Sequence, residues 1–501
     1  MPSKIAKAIK EILTSGYQLH PQAFDFLLEI EEKIDITDLV LKVVQIKLAS
    51  NDQQNIIMKQ DIEKLLPPEF KEIENKKDVE KLIISEHIEP EFEILKDPTN
   101  DIAPIDGLKG FQSLFKSRFE KLMKIVKKRP DSYQIKKISD LKKEGSNSPQ
   151  KIAGLVMDKR IKRNYVELTI DDESGKIKAV ALEDPVRKDA SEICLDQLVI
   201  LDLQFSKRGL AIVKNIYSPD IPDHMLNTSK KVVYAIFTSD LHIGSKAFLL
   251  DAFNRFVLWL KGGLGDDLIV RRLKYIIIGG DLVDGIGIYP DQDKELEETN
   301  IYEQCKRASY LLDKIPKHIQ IFIIPGNHDP VRQALPQPAI PKKYFEELYS
   351  MENVKMLGNP SYLNLHGVNI LIYHGRSLDD VVAMTPGLTF SKSTLAMKIL
   401  LKARHLAPIY GGRTPIAPEK EDHLVIEKVP DIFHAGHTHT LDIDTYRNTL
   451  LISSGTWQGQ TCYQLNMGLK PTPGIVPIVN LATLEVNLRD FITSQPIKSS
   501  P

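Results

Sequence analysis

Five short apolar runs in the second half of the chain each end in a turn that carries aspartate, asparagine or histidine. The runs span residues 232–237, 275–278, 319–324, 368–373 and 432–433, and they are rich in branched aliphatic side chains. Continuous runs of this kind are typical of strands that are buried on both faces of an α/β sheet. Because ligands of such sheets bind at the carboxyl ends of the strands, the sequence predicts one polar site built from several strand ends.

The polar side chains after these runs are of the types that bind divalent metal ions. The candidate ligands are Asp240, His242, Asp281, Asn327, His374, His437 and His439. The spacing of two residues in Asp-x-His and His-x-His places both side chains on one side of an extended segment. Asp281 follows two glycines, and its two carboxylate oxygens can bridge two ions. Each motif alone is more often turn chemistry or an ordinary buried histidine, but the five together indicate a metal site.

Four segments of different composition divide the chain, at residues 1–66, 67–105, 106–225 and 226–501. Apolar residues at helical spacing predict a small helical domain in the first segment. The second segment is charge-rich, has few aromatic residues and begins at two prolines, which predicts a charged linker with disorder. The fourth segment holds the apolar runs described above and is predicted to be the domain that carries the metal site.

The third segment contains five short stretches of alternating polar and apolar residues, separated by turn signals. They span residues 152–156, 165–170, 177–182, 198–203 and 210–216. Five strands of this size fit a small closed barrel of the oligonucleotide-binding type, preceded by a helix. Such a barrel alone does not establish nucleic-acid binding, because the same fold also serves as a spacer or docking module.

Two further patterns in this segment have both a structural and a functional interpretation. An amphipathic stripe, formed by Phe111, Leu114, Phe115, Phe119, Leu122 and Met123, favours a helix packed on its own domain over a docking peptide. A basic run, formed by Lys159, Arg160, Lys162 and Arg163, favours a solvated hairpin end over a nucleic-acid contact.

The composition excludes several classes of protein. With 66 basic and 67 acidic residues the formal net charge is -1, so no overall basic field attracts a polyanion, and any nucleic-acid groove must be local. The three cysteines are odd in number and lie in no paired motif, which favours a reducing compartment. No apolar run reaches the length of a membrane span, and we therefore expect a cytoplasmic protein without membrane contact.

The ordered motifs resemble a known family. Asp-x-His, Gly-Asp, Gly-Asn-His-Asp, His-Gly and Gly-His-Thr-His follow one another as in calcineurin-like metallophosphoesterases, over residues 231–485. The preceding barrel and the loops 283–290, 410–418 and 453–464 resemble, more narrowly, the small subunits of archaeal family D DNA polymerases. This resemblance implies an α+β multidomain protein: a two-sheet α/β phosphoesterase sandwich, preceded by the oligonucleotide-binding barrel and the small helical domain.

The resemblance also implies a role for each motif residue. One ion would bind to Asp240, His242, Asp281 and His439, and the other to Asp281, Asn327, His374 and His437. His328, with Asp329 as its orienting neighbour, would be the catalytic histidine that binds no metal. Oxygen and imidazole ligands without thiolates suit Mn²⁺, Fe or Zn²⁺, and the family favours Mn²⁺.

By the same resemblance the chain is expected to carry a 3′–5′ exonuclease for proofreading and to bind a large polymerase subunit, DNA 3′ ends and a sliding clamp. Candidate contacts to DNA are Arg376, Lys402, Arg404 and Arg413 for phosphates and Trp457 for base stacking. Each of these five residues alone is more often part of an ordinary surface or core. Two alternatives stay open: a scaffold subunit without catalysis, and a free-standing repair nuclease or phosphoesterase.

Overall fold

The computed structural model describes residues 4–20, 23–24, 26–27, 36–49, 56–65, 87–130, 132–141, 149–264, 268–466, 468–493 and 496–497. The chain forms two compact units, Met1–Leu82 and Ile83–Pro501. Among the helices within these ranges, none is long and apolar enough to cross a membrane.

The first unit is mainly helical in its described part. Its elements are α1 (Lys4–Thr14), β1 (Gln18–Leu19), α2 (Ile36–Ala49), β2 (Ile56–Ile57) and α3 (Lys59–Glu63). The two short strands pair in parallel. The core is apolar, with Ile12, Leu27 and Val40 fully buried, so the helical periodicity seen in the sequence corresponds to a packed face.

The predicted linker differs from the structure in its second half. Residues 67–86 lie outside the described residues. Strand β3 (Phe92–Lys96) pairs in antiparallel fashion with residues 361–365 at the edge of a sheet. The Phe92 ring packs edge-on against Phe322, with ring centroids 5.2 Å apart. The linker prediction is therefore wrong for residues 92–96, because Phe92 and Leu95 pack against apolar cores that only the folded chain supplies.

A helix and a barrel follow this strand. The helix is α4 (Gly107–Val126), and the next elements are β4 (Ile135–Lys136), β5 (Gln150–Ile161), β6 (Val166–Asp171), β7 (Lys176–Ala181), α5 (Val186–Glu192), β8 (Leu198–Phe205) and β9 (Ala211–Tyr217). The strands are ordered β5-β6-β7-β9-β8, and β8 pairs again with β5, which closes the barrel. Its interior is filled by small and branched side chains such as Ile152, Leu168 and Leu201. The five predicted strands are thus present.

Helix α4 joins the barrel to the rest of the unit. Phe111 and Phe115 lie against Tyr410, with ring centroids 5.1 and 5.2 Å away. Leu122 and Val126 pack instead on buried barrel residues. The aromatic stripe is therefore used within the chain, as predicted. In the basic run of the barrel, Lys159 donates to the carbonyl oxygens of Ser191 and Ile193 at the end of α5, so this side chain is used within the barrel domain.

The last domain contains twelve described strands and six described helices. They are β10 (Tyr234–Thr238), α6 (Leu250–Leu260), β11 (Leu273–Ile278), α7 (Ile301–Asp313), β12 (Gln320–Ile323), α8 (Glu346–Ser350), β13 (Val354–Met356), β14 (Ser361–Leu365), β15 (Val368–Tyr373), α9 (Leu378–Met384), α10 (Ser393–Ala403), β16 (Ile432–Ala435), β17 (Asp442–Tyr446), β18 (Thr449–Ser453), α11 (Cys462–Asn466), β19 (Ile475–Asn480), β20 (Val486–Asp490) and β21 (Pro496–Ile497).

These strands form two sheets that pack face to face. One sheet has the order β13-β12-β11-β10-β19-β20-β21, and the other has the order β17-β18-β16-β15-β14-β3. Because strand side chains alternate, Phe237 and Ile372 lie in the core between the sheets, whereas Ile236 and Leu371 face outward. Helices α6 and α7 cover one outer face, and α9 and α10 cover the other. The predicted mixed α+β organisation is confirmed.

Candidate metal centre

The site lies where parallel strands of both sheets end. Strands β10, β11 and β12 are parallel neighbours in one sheet, and β15 and β16 are parallel neighbours in the other. Each of the seven candidate ligands follows one of these strands by no more than four residues. The strand ends therefore supply the ligands, as the sequence predicts, but they belong to two sheets whose carboxyl ends meet.

A first cluster contains Asp240, His242 and His439, whose ligand atoms all lie within 4.8 Å of one another. The Nε2 atoms of the two histidines face each other at 3.0 Å. Asp240 Oδ1 lies 3.3 Å from His439 Nε2 and 3.7 Å from His242 Nε2. Asp281 Oδ2 is 3.9 Å from His242 Nε2, which places a fourth ligand at this cluster.

A second cluster contains Asp281, His374 and His437, again within 4.8 Å. Asp281 Oδ2 lies 3.3 Å from His374 Nε2, and Asn327 Oδ1 lies 3.1 Å from the same nitrogen. Asp281 Oδ2 thus lies near ligand atoms of both clusters. The two ligand sets that the family resemblance implied are brought together in the folded chain.

Backbone conformation brings these side chains together in an unexpected way. Asp240, His242, Asp281, His437 and His439 all have positive φ angles, between 51° and 69°. Left-handed backbone is uncommon for residues other than glycine and costs on the order of 1 kcal/mol or more per residue. The expectation that Asp-x-His and His-x-His are extended segments is therefore wrong, although both pairs do converge. Their convergence comes from strained turns.

Two glycines permit the close approach of the turns. A Cβ atom on Gly326 would lie 2.1 Å from Asp281 Oδ1, and one on Gly436 would lie 1.9 Å from the Ser239 hydroxyl. Neither distance is compatible with a side chain, so the turns after β12 and β16 need glycine at these positions.

Residues outside the predicted set hold the candidate ligands in place. His242 Nδ1 lies 2.9 Å from Asp284 Oδ1, and His437 Nε2 lies 3.1 Å from Asp379 Oδ1. His439 Nδ1 lies 2.8 Å from the side-chain amide of Gln464. Such partners fix the orientation of metal-binding imidazoles. In the sequence, Asp284 and Gln464 lie in the loops 283–290 and 453–464 that carry the family resemblance, whereas nothing marked Asp379.

The electrostatics of the site favour a bound cation. Asp240 Oδ1 is buried and has no hydrogen bond of good geometry among the described residues, although two imidazole nitrogens lie near it. Burial alone would lower the pKa of His242, but Asp240 and Asp284 outweigh it and raise that pKa to about 10. Burial would also lower the pKa of His374, but Asp281 outweighs this effect and raises that pKa to about 9. The carboxylates thus stabilise positive charge where the ligand atoms converge, and the donor set fits divalent metal ions.

His328 lies beside the first cluster, and its ring forms a third group of convergent ligand atoms with His242 and Asp281, all within 4.8 Å of one another. Its Nδ1 atom donates to the carbonyl oxygen of Asp284 at 2.7 Å, and its Nε2 atom lies 4.0 Å from Asp281 Oδ2. Burial lowers its pKa to about 4 despite the nearby carboxylates. The ring is therefore neutral near pH 7, and its Nε2 lone pair lies on the side of the candidate ligand Asp281.

Asp329 has a different role from the one predicted. Its carboxylate accepts backbone N–H groups from Leu282, Val283 and Gly326. The carbonyl of Asp284 holds the His328 ring instead, so the prediction that Asp329 orients His328 is wrong. Asp329 fastens the turn after β12 to the turn after β11, and this contact connects two ligand-bearing loops.

The comparisons with known proteins show the family to which the chain belongs. The family model for the B subunit of DNA polymerase alpha/epsilon matches residues 235–441. A DNA polymerase II small subunit of Archaeoglobus fulgidus is 36% identical over 502 residues, which cover 97% of this chain and 98% of the relative. This chain belongs to the family of archaeal DNA polymerase II small subunits. The resemblance to polymerase small subunits noted in the sequence is thereby confirmed.

Other matches cover different shares of this chain and of the matched protein. The DNA polymerase II small subunit of Pyrococcus furiosus is 42% identical over 385 residues, 76% of this chain, and the match spans 63% of that relative's length. Among solved structures, a novel archaeal phosphodiesterase covers 51% of this chain and 98% of its own, with 13% identity and a TM-score of 0.26. Vps29 of Entamoeba histolytica complexed with Zn²⁺ covers 52% and 99%, with 13% identity and a TM-score of 0.25.

The five predicted DNA contacts of this family member fall into two groups. Arg376 is half-buried and donates to the Gln333 side chain at 2.7 Å, and Arg413 is exposed. Burial raises the pKa of Asp379, but the charges of His437, Arg413 and Arg376 together hold that pKa below its usual value. Both arginines therefore lie near the second cluster.

The other three residues lie elsewhere. Arg404 is 3% exposed and donates to the carbonyl oxygens of Ile426 and Glu427. Trp457 is 1% exposed, and its Nε1 donates to Thr238 while its ring packs in the core. Both predictions are wrong, because these polar groups are used inside the fold. Lys402 lines a cavity of about 760 Å³ beside the barrel, together with Arg404.

Proposed function

We propose that this chain is the proofreading subunit of a two-subunit archaeal DNA polymerase, and that it hydrolyses phosphodiesters at DNA 3′ ends with two divalent metal ions. The observation that supports the proposal is the convergence of seven candidate metal ligands, with an electrostatic preference for cations, in a member of a polymerase small-subunit family. A subunit that served only as a scaffold would have no use for five strained ligand positions.

The donor groups fit two ions that share Asp281. Asp240, His242 and His439 would complete one site, and Asn327, His374 and His437 would complete the other. Mixed oxygen and imidazole ligands without thiolates suit Mn²⁺, Fe and Zn²⁺, and we favour Mn²⁺. Two such ions, when bound, polarise a phosphodiester and lower the pKa of water.

His328 is placed to move a proton. Because Nδ1 donates to the Asp284 carbonyl, the neutral ring has its lone pair on Nε2. In the proposed reaction Nε2 accepts the proton of the attacking water as the new P–O bond forms. The bond from phosphorus to the 3′ oxygen then breaks, and Nε2 returns the proton to that oxygen. The products are a 5′-mononucleotide and a DNA strand shortened by one nucleotide.

Arg376 and Arg413 would contact the DNA backbone. Both lie beside Asp379, which faces the ligand His437, and a planar guanidinium matches the geometry of a phosphate. Among the predicted DNA contacts, these two are the ones that we retain for phosphate binding.

We further propose that the partner is the large polymerising subunit and that the complex acts in the cytoplasm at replicating DNA, where a sliding clamp is a further expected partner. The relatives are small subunits of DNA polymerase II by name. A small subunit implies a larger one, and proofreading requires the two activities to meet on the same primer end.

The decisive experiment compares full-length His328→Ala with the wild type on DNA strands labelled at the 5′ or the 3′ end. With Mn²⁺, the wild type is expected to release the 3′ label at once as a mononucleotide and to shorten the 5′-labelled strand stepwise. Loss of the proton carrier is expected to slow release by about 10²- to 10⁴-fold. His87→Ala, a change at an exposed histidine, is the matched control.

The outcome separates the proposal from its alternatives. Wild-type protein that releases no nucleotide, alone or with the large subunit, contradicts the exonuclease and supports a scaffold. Release of nucleotide by a chain that never co-purifies with a large subunit supports a free-standing nuclease. Metal-dependent hydrolysis of small phosphoesters without action on DNA supports a phosphoesterase of another kind.

A further inference from the structure

Two stacked tyrosines stand beside His328. The rings of Tyr289 and Tyr463 have centroids 5.0 Å apart and planes inclined by 29°, and the Tyr289 centroid is 6.3 Å from the His328 ring. Tyr289 is half-buried, whereas 43% of Tyr463 is exposed to solvent. One aromatic ring thus packs against the histidine, and a second ring extends this aromatic surface outward.

The pair is fixed to the site from two loops. Glu295 joins them: one carboxylate oxygen accepts from the Tyr289 hydroxyl at 2.8 Å, and the other accepts from the backbone N–H of Cys462 at 2.9 Å. The residue after Tyr463 is Gln464, whose amide contacts the candidate ligand His439. The position of the outer ring is therefore coupled both to the histidine that moves the proton and to a metal ligand.

An exposed tyrosine can simply be a surface residue, but its surroundings make a binding role the better explanation. Tyr463 already covers part of its surface by stacking on Tyr289, so the remaining exposed area is an apolar surface next to the reacting groups. DNA bases stack readily on such rings, and aromatic stacking is tolerant of sequence because every base has a π face. An exonuclease has to accept all four terminal nucleotides, and stacking supplies binding without base selection.

We infer that Tyr463, supported from behind by Tyr289, stacks on the base of the terminal nucleotide at the DNA 3′ end and so positions the last phosphodiester at His328. This inference rests on the proposed exonuclease function and adds a base-binding subsite to it. Stacking is present both before and during the reaction, so it contributes to binding of the substrate more than to the rate of the bound complex.

The test compares full-length Tyr463→Ala, Tyr463→Phe and wild type on single strands that differ only at the 3′ end. One strand ends in a normal nucleotide and the other in an abasic tetrahydrofuran nucleotide. With the normal end, Tyr463→Ala is expected to raise KM about tenfold with little change in kcat, and Tyr463→Phe is expected to restore the wild-type KM. With the abasic end, the difference in KM between Tyr463→Ala and wild type is expected to disappear.

A binding measurement provides a second readout. A strand with 2-aminopurine at its 3′ end is expected to lose fluorescence on binding to the wild type without metal, because the base stacks, and to stay bright with Tyr463→Ala. Tyr302→Ala is the matched control. Tyr302 is also exposed and stacks on another tyrosine, Tyr344, with ring centroids 5.3 Å apart.

The results distinguish failure of the inference from failure of the proposed function. If the wild type hydrolyses neither strand, the exonuclease proposal fails. If the wild type is active and Tyr463→Ala raises KM equally on normal and abasic ends, stacking on the base is overturned. A fall in kcat with loss of bound metal also overturns it, because the residue then acts through Gln464 and His439 as a structural support.

Discussion

Two buried clusters of aspartate and histidine lie in the same domain and differ in how their charges are compensated. In one, Asp422 Oδ2 accepts from Arg118 Nε at 2.8 Å and from His405 Nε2 at 2.9 Å. In the candidate metal centre, Asp240 Oδ1 lies among imidazole nitrogens with no well-formed hydrogen bond. The first cluster contains a permanent cation in the Arg118 guanidinium, whereas the second has only imidazoles beside its carboxylates among the residues that the structure describes.

The histidine pKa values differ between the two clusters for this reason. Burial, reinforced by Arg118, lowers the pKa of His405 to about 4 despite its contact with Asp422. At the candidate metal centre the same burial is outweighed by carboxylates, and the pKa of His374 is about 9. A buried Asp–His contact therefore indicates a metal site only where several ligand atoms converge and no guanidinium or ammonium group is already paired with the carboxylates.

The largest expected effect is the loss of the shared ligand. We expect Asp281→Asn to reduce hydrolysis by about 10³-fold or more, because the amide has only one oxygen for two ions and no charge. The metal content of the full chain is expected to fall from about two ions to one or fewer, as measured by inductively coupled plasma mass spectrometry. Retention of both ions and of activity would show that the carboxylate does not bridge.

The same Asp-to-Asn change in the cluster of Asp422, His405 and Arg118 is expected to lower the stability of the fold. Asp422→Asn leaves the Arg118 guanidinium buried without its counter-charge, and the free energy of unfolding is expected to fall by about 3–5 kcal/mol. Chemical denaturation measures this fall, while bound metal and the specific activity of the folded protein are expected to stay at wild-type levels. A loss of metal in this variant would mean that the two clusters are coupled.

A smaller effect is expected from a residue that supports a ligand without binding metal. Asp284→Ala removes the acceptor for His242 Nδ1, and metal affinity is expected to decrease about 10- to 100-fold. A metal-binding titration of the full chain measures this decrease. Asp291→Ala, an exposed change in the same loop, is the control and is expected to bind metal like the wild type.

The last expected effect is a gradual one, a pH dependence of stability that is spread over several pH units. Unfolded His405 takes up a proton near pH 6.5, whereas the folded residue does so only near pH 4. The stability that the neutral residue confers is therefore complete above pH 6.5 and is lost as the pH falls toward 4, by up to about 1.4 kcal/mol per pH unit. Denaturation of metal-free protein across this range is expected to show a shallower decline for His405→Gln than for wild type.

Much of this molecule could be predicted from its sequence. The apolar runs before Asp281 and His374 became strands β11 and β15, and the alternating stretches of the third segment became the barrel strands. Strand β3 was missed because its short, charged pattern becomes a strand only when the edge of a sheet is available. Trp457 and Arg404 were misread because a sequence does not reveal which face of a loop is buried.

The sequence by itself determined which groups could bind metal, since the identity and order of Asp240, His242, Asp281, Asn327, His374, His437 and His439 are properties of the chain. The tertiary structure decided how they meet. Two sheets bring their strand ends together. This packing produces the left-handed turns at Asp240 and His439, the close contact at Gly326 and the supporting contact from the carboxylate of Asp284. A local pattern specifies donors and short-range periodicity, but convergence of distant turns depends on packing between residues far apart in the chain.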